Sequence, residues 1–335
     1  MVLVVGGAGY IGSHILWLLR EASAAHIVFD NLENGHRGAL HGSPNFQGDL
    51  RNPDDLDRCF AEHPEIDSVI NFAAYIAVGE SEREPAKYWK NNTAGMLNLL
   101  EAMQKAKVGR LVFSSTAAIY GEPLYVPLDE KHPKKPTSCY GDTKLAVETM
   151  LANFDRSVGI KSVCLRYFNA AGAHPSGEIG EDHNPEEHLV PLAVAAALGR
   201  RPSLKVFGID WDTIDGTCVR DYVHVLDLAS AHLLALKHLR GRGESRQYNL
   251  GNGVGFSVRQ VLDTVGHVLG TPVPTEVAPR RAGDPAKLIA SSEAIREAWG
   301  WTPNRPELEE IVRDAYNWHR LHPAGYGDRP CSNIG

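Results

Sequence analysis

The sequence lacks the features that mark exported, membrane-spanning or disulfide-stapled proteins. It has only five cysteines in 335 residues, and because these are scattered and form no Cys-x-x-Cys pair, neither a disulfide framework nor a zinc ribbon is indicated. No stretch reaches the roughly 18 consecutive apolar residues that a membrane-spanning helix needs. The first apolar run breaks at Gly6 and has no positively charged segment ahead of it, so a secretory signal is not indicated either. We expect a cytoplasmic protein with no membrane partner.

An excess of positive charge is also missing. Lys and Arg number 34 against 41 Asp and Glu, which gives a net charge of -7 with no long basic run, so nucleic acid is not an expected partner. Hydrophobic residues make up 43% and charged residues 22%, close to the averages of folded proteins, which excludes disordered, collagenous and coiled-coil classes. At about 150 residues per domain, the length suggests about two domains.

Apolar runs alternate with helical patterns along the first half of the chain. These runs predict strands at Val2–Val5, His26–Phe29, Ser68–Phe72, Arg110–Ser114 and Lys161–Tyr167. All but the second are nearly continuous in hydrophobic residues, which is typical of strands buried on both faces of a parallel sheet. The pattern predicts a doubly wound, Rossmann-like α/β fold with a smaller C-terminal α/β domain. We place the first domain at residues 1–171, with parts of 205–250 returning to it, and the second at 172–335.

A glycine-rich turn follows the first predicted strand. Gly6, Gly9 and Gly12 are spaced three apart and open the predicted helix Ile11–Leu19, where glycines let a backbone approach a pyrophosphate at a helix N-terminus. Asp30 closes the second strand 18 residues after Gly12, where a carboxylate can accept both ribose hydroxyls of the adenosine half. Because a 2′-phosphate would face like charge there, we expect NAD rather than NADP. The alternative is a tight turn that holds no ligand.

A second carboxylate follows a further, short predicted strand at Asn45–Gln47, which lies between the second and third strands listed above in chain order. Asp49 lies where its side chain can reach the adenine, and it can equally cap the predicted helix Asn52–Cys59. Both interpretations stay open on the sequence alone.

Tyr140 and Lys144 lie four residues apart in Ser138–Phe154, which the sequence predicts as helix, so both side chains share one face. A tyrosine has an ordinary pKa of about 10, and as a base near neutrality it needs a cation nearby. Thr116 follows the predicted strand Arg110–Ser114, at the sheet edge where open α/β folds bind ligands. The pair therefore predicts proton removal from a sugar hydroxyl, and the alternative is an ordinary surface pair on a helix.

Several motifs together carry a family resemblance. They are GGAGYIGSH, DNL at 30–32, NN at 91–92, SSTAAIYG, YGDTK, LRYFNAAGAHP, GTCVRDYVHVLDLA and RRAGD. Over nearly its whole length the chain resembles the extended short-chain dehydrogenase/reductase family, and RYFNAAGAHP and DGTCVRDY are most similar to its nucleotide-sugar 4-epimerases. The resemblance implies an enzyme that interconverts UDP-glucose and UDP-galactose with NAD. It implies oxidation at C4, rotation of the 4-keto sugar and reduction on the opposite face.

The resemblance also assigns roles to individual residues. It implies that Tyr140 is the base, that Lys144 binds the nicotinamide ribose and lowers the tyrosine pKa, and that Thr116 hydrogen-bonds the sugar O4. The NAD site that it implies is lined by Gly6, Gly9, Tyr10, Ile11, Gly12, Asp30, Asn31, Asn34, Asp49, Leu50, Phe72, Ala73, Ala74, Asn92, Ser114, Tyr140, Lys144, Tyr167 and Phe168. The UDP-hexose site that it implies is lined by Thr116, Asn169, Leu189, Lys205, Val206, Phe207, Arg220, Arg281, Asp284 and Leu288. The first domain would then bind NAD and the second mainly the nucleotide sugar.

Some positions depart from the family or allow another interpretation. Ile76 stands where a lysine is often found in the family, so one cofactor contact is missing or made otherwise, whereas Thr116 in place of a serine keeps the hydroxyl. Arg220 and Arg281 suit a diphosphate because a guanidinium binds phosphate oxygens in bidentate fashion, although an exposed arginine is usually only a solvated charge.

Three histidines, His174, His183 and His188, stand among acidic residues. Pro185 breaks the helix that a metal-binding histidine pair would need, and no two of the histidines form His-x-x-x-His. We expect no metal here and a loop over the nucleotide sugar.

Rival activities differ in the residues that they require. A nucleotide-sugar 4,6-dehydratase resembles the chain but has an Asp-Glu pair where Ala117 and Ala118 follow the strand-end threonine. A UDP-uronate decarboxylase needs a cation for the carboxylate, and none is assigned. A non-catalytic NAD-sensing regulator of the same fold needs neither Tyr140 nor Lys144.

The resemblance further implies a homodimer. Family members pair through the helix that bears the Tyr/Lys motif and the long helix before it, here about Tyr88–Lys105. Met96, Leu99, Leu100 and Met103 form an apolar stripe on that helix, which can face a partner or the helix's own sheet.

Overall fold

The computed structural model describes residues 1–281 and 283–328, which group into two compact units. Unit 1 contains Met1–Gly121, Pro133–Arg166 and Ala229–Tyr248. Unit 2 contains Glu122–His132, Tyr167–Leu228 and Asn249–Gly335 as far as it is described. The chain therefore passes between the units more than once.

The described residues form strands and helices in alternation. The strands are β1 (Val2–Val5), β2 (His26–Asp30), β3 (Asn45–Gln47), β4 (Ser68–Asn71), β5 (Arg110–Thr116), β6 (Lys161–Tyr167), β7 (Asn169–Ala171), β8 (Leu204–Phe207), β9 (Val219–His224), β10 (Arg246–Leu250), β11 (Gly255–Ser257), β12 (Thr275–Ala278) and β13 (Lys287–Leu288). The helices are α1 (Tyr10–Glu21), α2 (Pro53–Glu62), α3 (Val78–Arg83), α4 (Pro85–Tyr88), α5 (Gly95–Lys105), α6 (Cys139–Val158), α7 (Leu189–Ala197), α8 (Val225–Arg240), α9 (Val258–Leu269), α10 (Glu293–Trp299) and α11 (Leu308–Leu321).

Unit 1 is built around a seven-stranded sheet, in which the strand order is β10-β6-β5-β4-β1-β2-β3. β1 pairs in parallel with both β2 and β4, and the pairs β2 with β3 and β4 with β5 are parallel too. The chain winds from β1 outward to β3 and then returns to β4 on the other side. This reversal opens a crevice at the carboxyl ends of β1 and β4, which is where open α/β sheets bind ligands. The doubly wound α/β fold predicted from the apolar runs is confirmed.

The apolar stripe of α5 faces the core of unit 1. Met96, Leu99, Leu100 and Met103 are at most 1% exposed and pack with sheet residues such as Val5. The structure thus decides between the two interpretations of this stripe, and it supports the helix's own sheet. The helix predicted over Tyr88–Lys105 is also not continuous, because a π-helical turn at Trp89–Ala94 interrupts it.

Unit 2 contains a smaller sheet centred on β9. β11 pairs antiparallel to β9, β13 and β7 pair parallel to it, and β8 and β12 form a separate parallel pair. Helices α7, α9 and α11 share one hydrophobic core, which includes Val194, Val265 and Ile311. Trp318 of α11 is fully buried, and its indole Nε1 donates to the Glu181 carbonyl oxygen at 2.9 Å.

Neither a disulfide nor a membrane span is found in the described residues. Cys59, Cys139, Cys164 and Cys218 are free thiols, and Cys331 lies outside the described residues. Within residues 1–281 and 283–328, no helix combines the length and the apolar character needed to cross a membrane.

A buried ion pair joins β6 to α6 in unit 1. The Arg166 guanidinium donates to both carboxylate oxygens of Glu148, at 2.8 and 2.6 Å, and its Nη1 donates to the Tyr120 hydroxyl at 2.9 Å. The Ser115 hydroxyl donates to the same carboxylate at 2.7 Å. Every one of these groups lies out of contact with water, so the removal of one partner leaves a buried charge uncompensated.

We expect Arg166→Met to lower the free energy of unfolding by about 3–5 kcal/mol, because the Glu148 carboxylate would remain buried without its cation. Urea denaturation followed by circular dichroism measures this change. The matched control is Arg58→Met, which removes a 57% exposed guanidinium from its pair with Asp55 and should change the free energy of unfolding by no more than about 0.5 kcal/mol. Equal effects of the two substitutions would contradict the assignment.

Candidate active site

The glycine turn brings the N-terminus of α1 to the carboxyl end of β1. Gly6 has φ +75°, and a Cβ there would lie 2.5 Å from the Ala73 amide nitrogen. A Cβ on Gly12 would lie 2.4 Å from the Gly6 carbonyl oxygen. Gly9, the N-cap of α1, has no side chain to cap the helix, and a Cβ there would meet only the Gly6 oxygen, at 3.4 Å. The turn therefore leaves first-turn amides accessible to an anion such as a pyrophosphate, which fits the dinucleotide expected from the sequence.

Asp30 lies at the end of β2, next to this turn. Its Oδ2 accepts from the Ala8 amide at 2.9 Å and its Oδ1 from the Leu32 amide at 2.8 Å. The carboxylate thus fixes the glycine turn to the DNL turn. Because a carboxylate can accept about four hydrogen bonds, it can hold both turns and also accept from ribose hydroxyls.

A polar cluster surrounds the end of β3. Asn31 Nδ2 donates to Asp49 at 3.0 Å, and the Arg51 guanidinium donates to Asp49 at 2.5 Å and to Glu33 at 2.7 Å. The Tyr75 hydroxyl donates to Glu33 at 2.5 Å. The hydrogen bond from Arg51 lowers the pKa of Asp49 to about 2, whereas burial and Glu33 raise the pKa of Tyr75 to about 12. Asp49 therefore stays ionised at this edge of the sheet.

Of the two interpretations of Asp49, the structure does not support the helix cap. The N-cap of α2 is Asn52, whose Oδ1 accepts from the Asp54 amide at 3.3 Å. Among the neighbouring candidates, Leu50 is buried and its carbonyl oxygen accepts from Asn98 Nδ2 at 2.9 Å, whereas Asn34 is exposed.

The segment after β4 contains Phe72, Ala73 and Ala74, and Asn92 fixes its far end. Asn92 lies in the π-helical turn, its Oδ1 accepts from the Tyr75 amide at 2.9 Å, and its Nδ2 donates to the Tyr75 carbonyl oxygen at 3.0 Å. Asn92 therefore positions the backbone of residues 72–75, which lies against Gly6 of the glycine turn. Ile76, where the family often has lysine, is 42% exposed.

Tyr140 and Thr116 meet at the carboxyl end of β5. The Thr116 side chain lies close enough to Tyr140 to lower its pKa, and the Thr116 hydroxyl accepts from the Ala118 amide at 3.1 Å. Burial raises the pKa of Tyr140 to about 12, and the Thr116 side chain acts in the opposite direction. Both residues lie in unit 1, and Thr116 belongs to the sheet whose strand β1 leads into the glycine turn.

Lys144 lies one helical turn further along α6. Its Nζ donates to the Ser114 carbonyl oxygen at 2.9 Å and lies 5.9 Å from the centre of the Tyr140 ring. Burial lowers the pKa of Lys144 to about 7, and the Glu148 carboxylate opposes this shift. Burial thus disfavours the charged form of both the tyrosine and the lysine, and a tyrosinate beside an ammonium would offset that penalty by mutual attraction.

Hydrogen bonds and close packing fix the N-terminus of α6, whose first turn contains Tyr140. Ser138 caps the helix by accepting from the Gly141 amide at 3.1 Å, and the Tyr140 amide donates to the Ser81 hydroxyl at 3.1 Å. A Cβ on Gly141 would lie 2.6 Å from the Ala118 carbonyl oxygen. A glycine at this position therefore lets the helix approach the end of β5 closely.

A second cluster of candidate residues lies within unit 2. Arg220 donates to the Pro285 carbonyl oxygen at 2.8 Å and lies 3.6 Å from the Asp284 carboxylate. Arg281 donates to the same carboxylate at 2.9 Å, and its guanidinium lies 4.8 Å from the centre of the Phe207 ring. Asp284 thus interacts with two guanidinium groups, one of which lies over an aromatic ring, an arrangement that can bind a diphosphate beside a flat base.

The remaining candidates of unit 2 are distributed over several elements. Leu288 of β13 pairs with Arg220 of β9, and Asn169 of β7 pairs with Tyr222 of the same strand. Leu189 is the first residue of α7. In β8, Val206 is buried and Lys205 is exposed, while Tyr167 and Phe168, at the end of β6, are partly buried.

Two groups of residues lie in the site although no sequence motif pointed to them. Glu33, Arg51 and Tyr75 fix Asp49, although Arg51 stands only two residues from it. Glu148 stands one turn beyond Lys144 on the same helix and supports its charge. A search for further charged residues at helical spacing from Lys144 would have found Glu148, whereas the contact between Tyr75 and Glu33 spans 42 residues.

Comparisons with known proteins give consistent matches. The model of the NAD dependent epimerase/dehydratase family matches residues 2–251. A UDP-glucose 4-epimerase of Halalkalibacterium halodurans is 52% identical over 325 residues, which is 97% of each chain. A solved UDP-glucose 4-epimerase superposes with a TM-score of 0.95 at 48% identity, over 97% of this chain and 99% of its own. A UDP-glucose 4-epimerase of Bifidobacterium longum, solved in complex with NAD+ and UDP, superposes with a TM-score of 0.91 at 36% identity, over 97% of this chain and 99% of its own.

Proposed function

The chain belongs to the NAD dependent epimerase/dehydratase family, and on this basis we propose that it interconverts UDP-glucose and UDP-galactose. The observation that carries the proposal is the contact of Tyr140 with the Thr116 hydroxyl, with the Lys144 ammonium 5.9 Å from the tyrosine ring. The similar solved epimerase that holds NAD+ and UDP supports the same cofactor and nucleotide. We assign the NAD site mainly to unit 1, with Tyr167 and Phe168 contributed by unit 2, and the nucleotide-sugar contacts mainly to unit 2.

The chain's own residues supply the acid–base chemistry. Tyr140, as phenolate, accepts the proton of the sugar 4-hydroxyl while Thr116 hydrogen-bonds O4. Bound NAD supplies the acceptor for the hydride that leaves C4 and a positive charge that favours the phenolate. Once the 4-keto sugar has turned over, bound NAD would allow the hydride to return to its other face, and Tyr140 as phenol would give the proton back to O4. Proton and hydride both return to the sugar, so no net oxidation occurs.

The pKa of Tyr140 must fall for this chemistry, since burial alone raises it to about 12. An ammonium about 6 Å away contributes roughly 3 kcal/mol at an effective dielectric constant of about 20, which is about two pKa units. The Thr116 hydroxyl and the cationic nicotinamide ring add to this effect. Lys144 therefore acts on the base as well as on the ribose.

The nucleotide sugar is held by its diphosphate. Arg220 and Arg281, which share Asp284, bind the phosphate oxygens, and Phe207 packs beside the uracil together with Asn169 and Leu189. Firm binding of UDP leaves the hexose free to turn, which the reaction requires.

Rival activities have less support. Ala117 and Ala118 follow Thr116 and offer no acid–base pair for a 4,6-dehydration. A non-catalytic NAD sensor would need no buried Lys144 beside Tyr140, because burial of an ammonium costs free energy.

We expect the purified protein to convert UDP-galactose into UDP-glucose without added NAD, because the cofactor is regenerated in each cycle.

Tyr140→Phe should lower kcat by at least about a hundredfold with NAD still bound, since general acid–base catalysis contributes typically 10²–10⁴-fold. The matched control is Tyr125→Phe, at a half-exposed tyrosine that is hydrogen-bonded to Asp129, which should leave kcat unchanged. A Tyr140 variant that turns over at nearly the native rate would remove this residue from the mechanism.

Lys144→Ala should move the acidic limb of the pH–rate profile to higher pH. The reactive form is the phenolate, and loss of the neighbouring cation raises the tyrosine pKa, so more alkaline solution is needed to form it. The expected shift is up to about two pH units, from the roughly 3 kcal/mol above. An unchanged profile would show that Lys144 serves only to bind the ribose.

Substrate breadth depends on the residue beside the hexose, which we assign to Leu288. Family members with a bulkier residue at this position exclude N-acetylated sugars. Forcing extra atoms into a tightly packed site costs typically 1–3 kcal/mol, which corresponds to a loss of about 5- to 150-fold in binding or rate. We expect weak turnover of UDP-N-acetylglucosamine that rises in Leu288→Ser, measured as the ratio of kcat/KM for the two sugars. Leu124→Ser, at a leucine that is 72% exposed, should leave the ratio unchanged. Equal efficiency on both sugars in the native chain would refute the steric argument.

We also propose a homodimer that pairs through α6 and the helical segment before it, in the cytoplasm. Trp89 and Leu97 on that segment are 42% and 37% exposed, and the four free thiols among the described residues fit a reducing compartment. Sedimentation at micromolar concentration should give the mass of two chains, and Leu97→Glu should shift it to one. A native chain that sediments as a monomer would overturn the dimer.

A further inference from the structure

Four metal-ligating side chains meet in the loop that precedes α7, where the sequence led us to expect no metal. His183 Nδ1 lies 3.0 Å from a Glu181 carboxylate oxygen and 3.7 Å from a Glu186 oxygen. His188 Nδ1 lies 2.8 Å from Glu181 and 2.9 Å from Glu186. One ligand atom from each of the four residues lies within 4.8 Å of every other. Two imidazoles and two carboxylates thus surround one small volume within unit 2.

The interpretation that Pro185 prevents a metal site rested on helical spacing, and the loop does not need it. The chain folds back between His183 and His188, so that side chains five residues apart face each other, with their rings 5.2 Å apart. Glu186 lies between them in sequence and reaches both. A loop can therefore gather the ligands that a helix would have separated.

Residues of α11 and the segment after it fix the start of this loop. Trp318 Nε1 donates to the Glu181 carbonyl oxygen at 2.9 Å, and the Tyr326 amide donates to the Asp182 carboxylate at 2.9 Å. A Cβ on Gly180 would lie 2.2 Å from the Trp318 ring. At the other end, His188 is the N-cap of α7. Two packed elements thus hold the ligand set in place, as a preorganised site requires.

The ligand atoms lie close enough together to surround a tetrahedral ion. With ligand bonds of about 2.1 Å, neighbouring donor atoms in a tetrahedral zinc site lie about 3.4 Å apart. Three nitrogen–oxygen separations here are 2.8–3.0 Å and the fourth is 3.7 Å, so an ion would move the three closer pairs apart by about 0.5 Å. Imidazole nitrogen suits zinc, whereas magnesium and calcium prefer oxygen ligands alone. Glu181 is 4% exposed and His188 is 38% exposed in its side chain, so the site is enclosed on one side and reachable from the other.

We propose that Glu181, His183, Glu186 and His188 bind one Zn²⁺ ion, which fixes the loop to the start of α7. Four protein ligands leave no open position, so the ion has a structural role. This proposal does not depend on the reaction assigned above.

The competing interpretation is a network of ion pairs without metal. Despite burial, the neighbouring carboxylates raise the pKa of His183 to about 9 and that of His188 well above its usual range. Two imidazolium groups would then balance two carboxylates. Zinc binding must displace these protons, so the two states can be told apart by measurement.

The first experiment uses the native chain without an affinity tag. Elemental analysis of protein purified without chelator should find about one zinc per chain, and chelator treatment should lower Tm. Addition of ZnCl₂ should restore Tm, whereas MgCl₂ should not. A chain that holds no zinc, and that shows neither a Tm change nor calorimetric binding on addition of ZnCl₂ at pH 8, would overturn the proposal.

The second experiment assigns the ligands. His183→Gln and His188→Gln should each weaken calorimetric zinc binding by at least about a hundredfold, since changes even outside the ligand shell typically cost 10- to 100-fold. The matched control is His174→Gln, in the same loop, where the histidine hydrogen-bonds Ser176, and it should bind zinc as the native chain does. Equal zinc affinity in all three variants would refute the assignment. Should a variant fail to fold, the native-chain measurements decide alone.

Discussion

The close approach of α6 to the end of β5 is the constraint on which the candidate catalytic group depends. Because Gly141 has no side chain, the helix start can pack against the Ala118 carbonyl oxygen. This packing brings the Tyr140 ring to the Thr116 hydroxyl and lets the Lys144 ammonium reach the Ser114 carbonyl oxygen. A larger residue at 141 would move the base and its cation away from the sheet edge together.

Buried charge connects this contact to the rest of unit 1. Glu148 accepts hydrogen bonds from Ser115 on β5 and Arg166 on β6, and its negative charge favours the charged form of Lys144. The Glu148 carboxylate therefore compensates two positive charges, that of Arg166 on β6 and that of Lys144 beside the base. Such a network stabilises the fold only when all members are present, because each alone would be a buried charge.

The sequence was sufficient for the sheet of unit 1 and for much of the candidate site. Continuous apolar runs can be read as buried parallel strands because both of their faces are covered. The dinucleotide site could be predicted from the glycine spacing and Asp30 because the glycine turn is a local structure and Asp30 ends the strand that follows it in sequence. The small sheet around β9 was not predicted, since its short strands carry little periodic signal and pair with distant segments.

The amino-acid sequence specifies which residue types are available at the sheet edge and in the loop before α7. Which of them meet depends on the folded structure. There Asp49 contacts Arg51 and Asn31 and does not cap a helix, the α5 stripe packs on its own sheet, and His183 and His188 lie beside two glutamates. The physical reason is that periodicity and spacing describe contacts within one regular element. Contacts made by loops and across elements depend instead on packing, which brings together side chains that are distant or irregularly spaced in the chain.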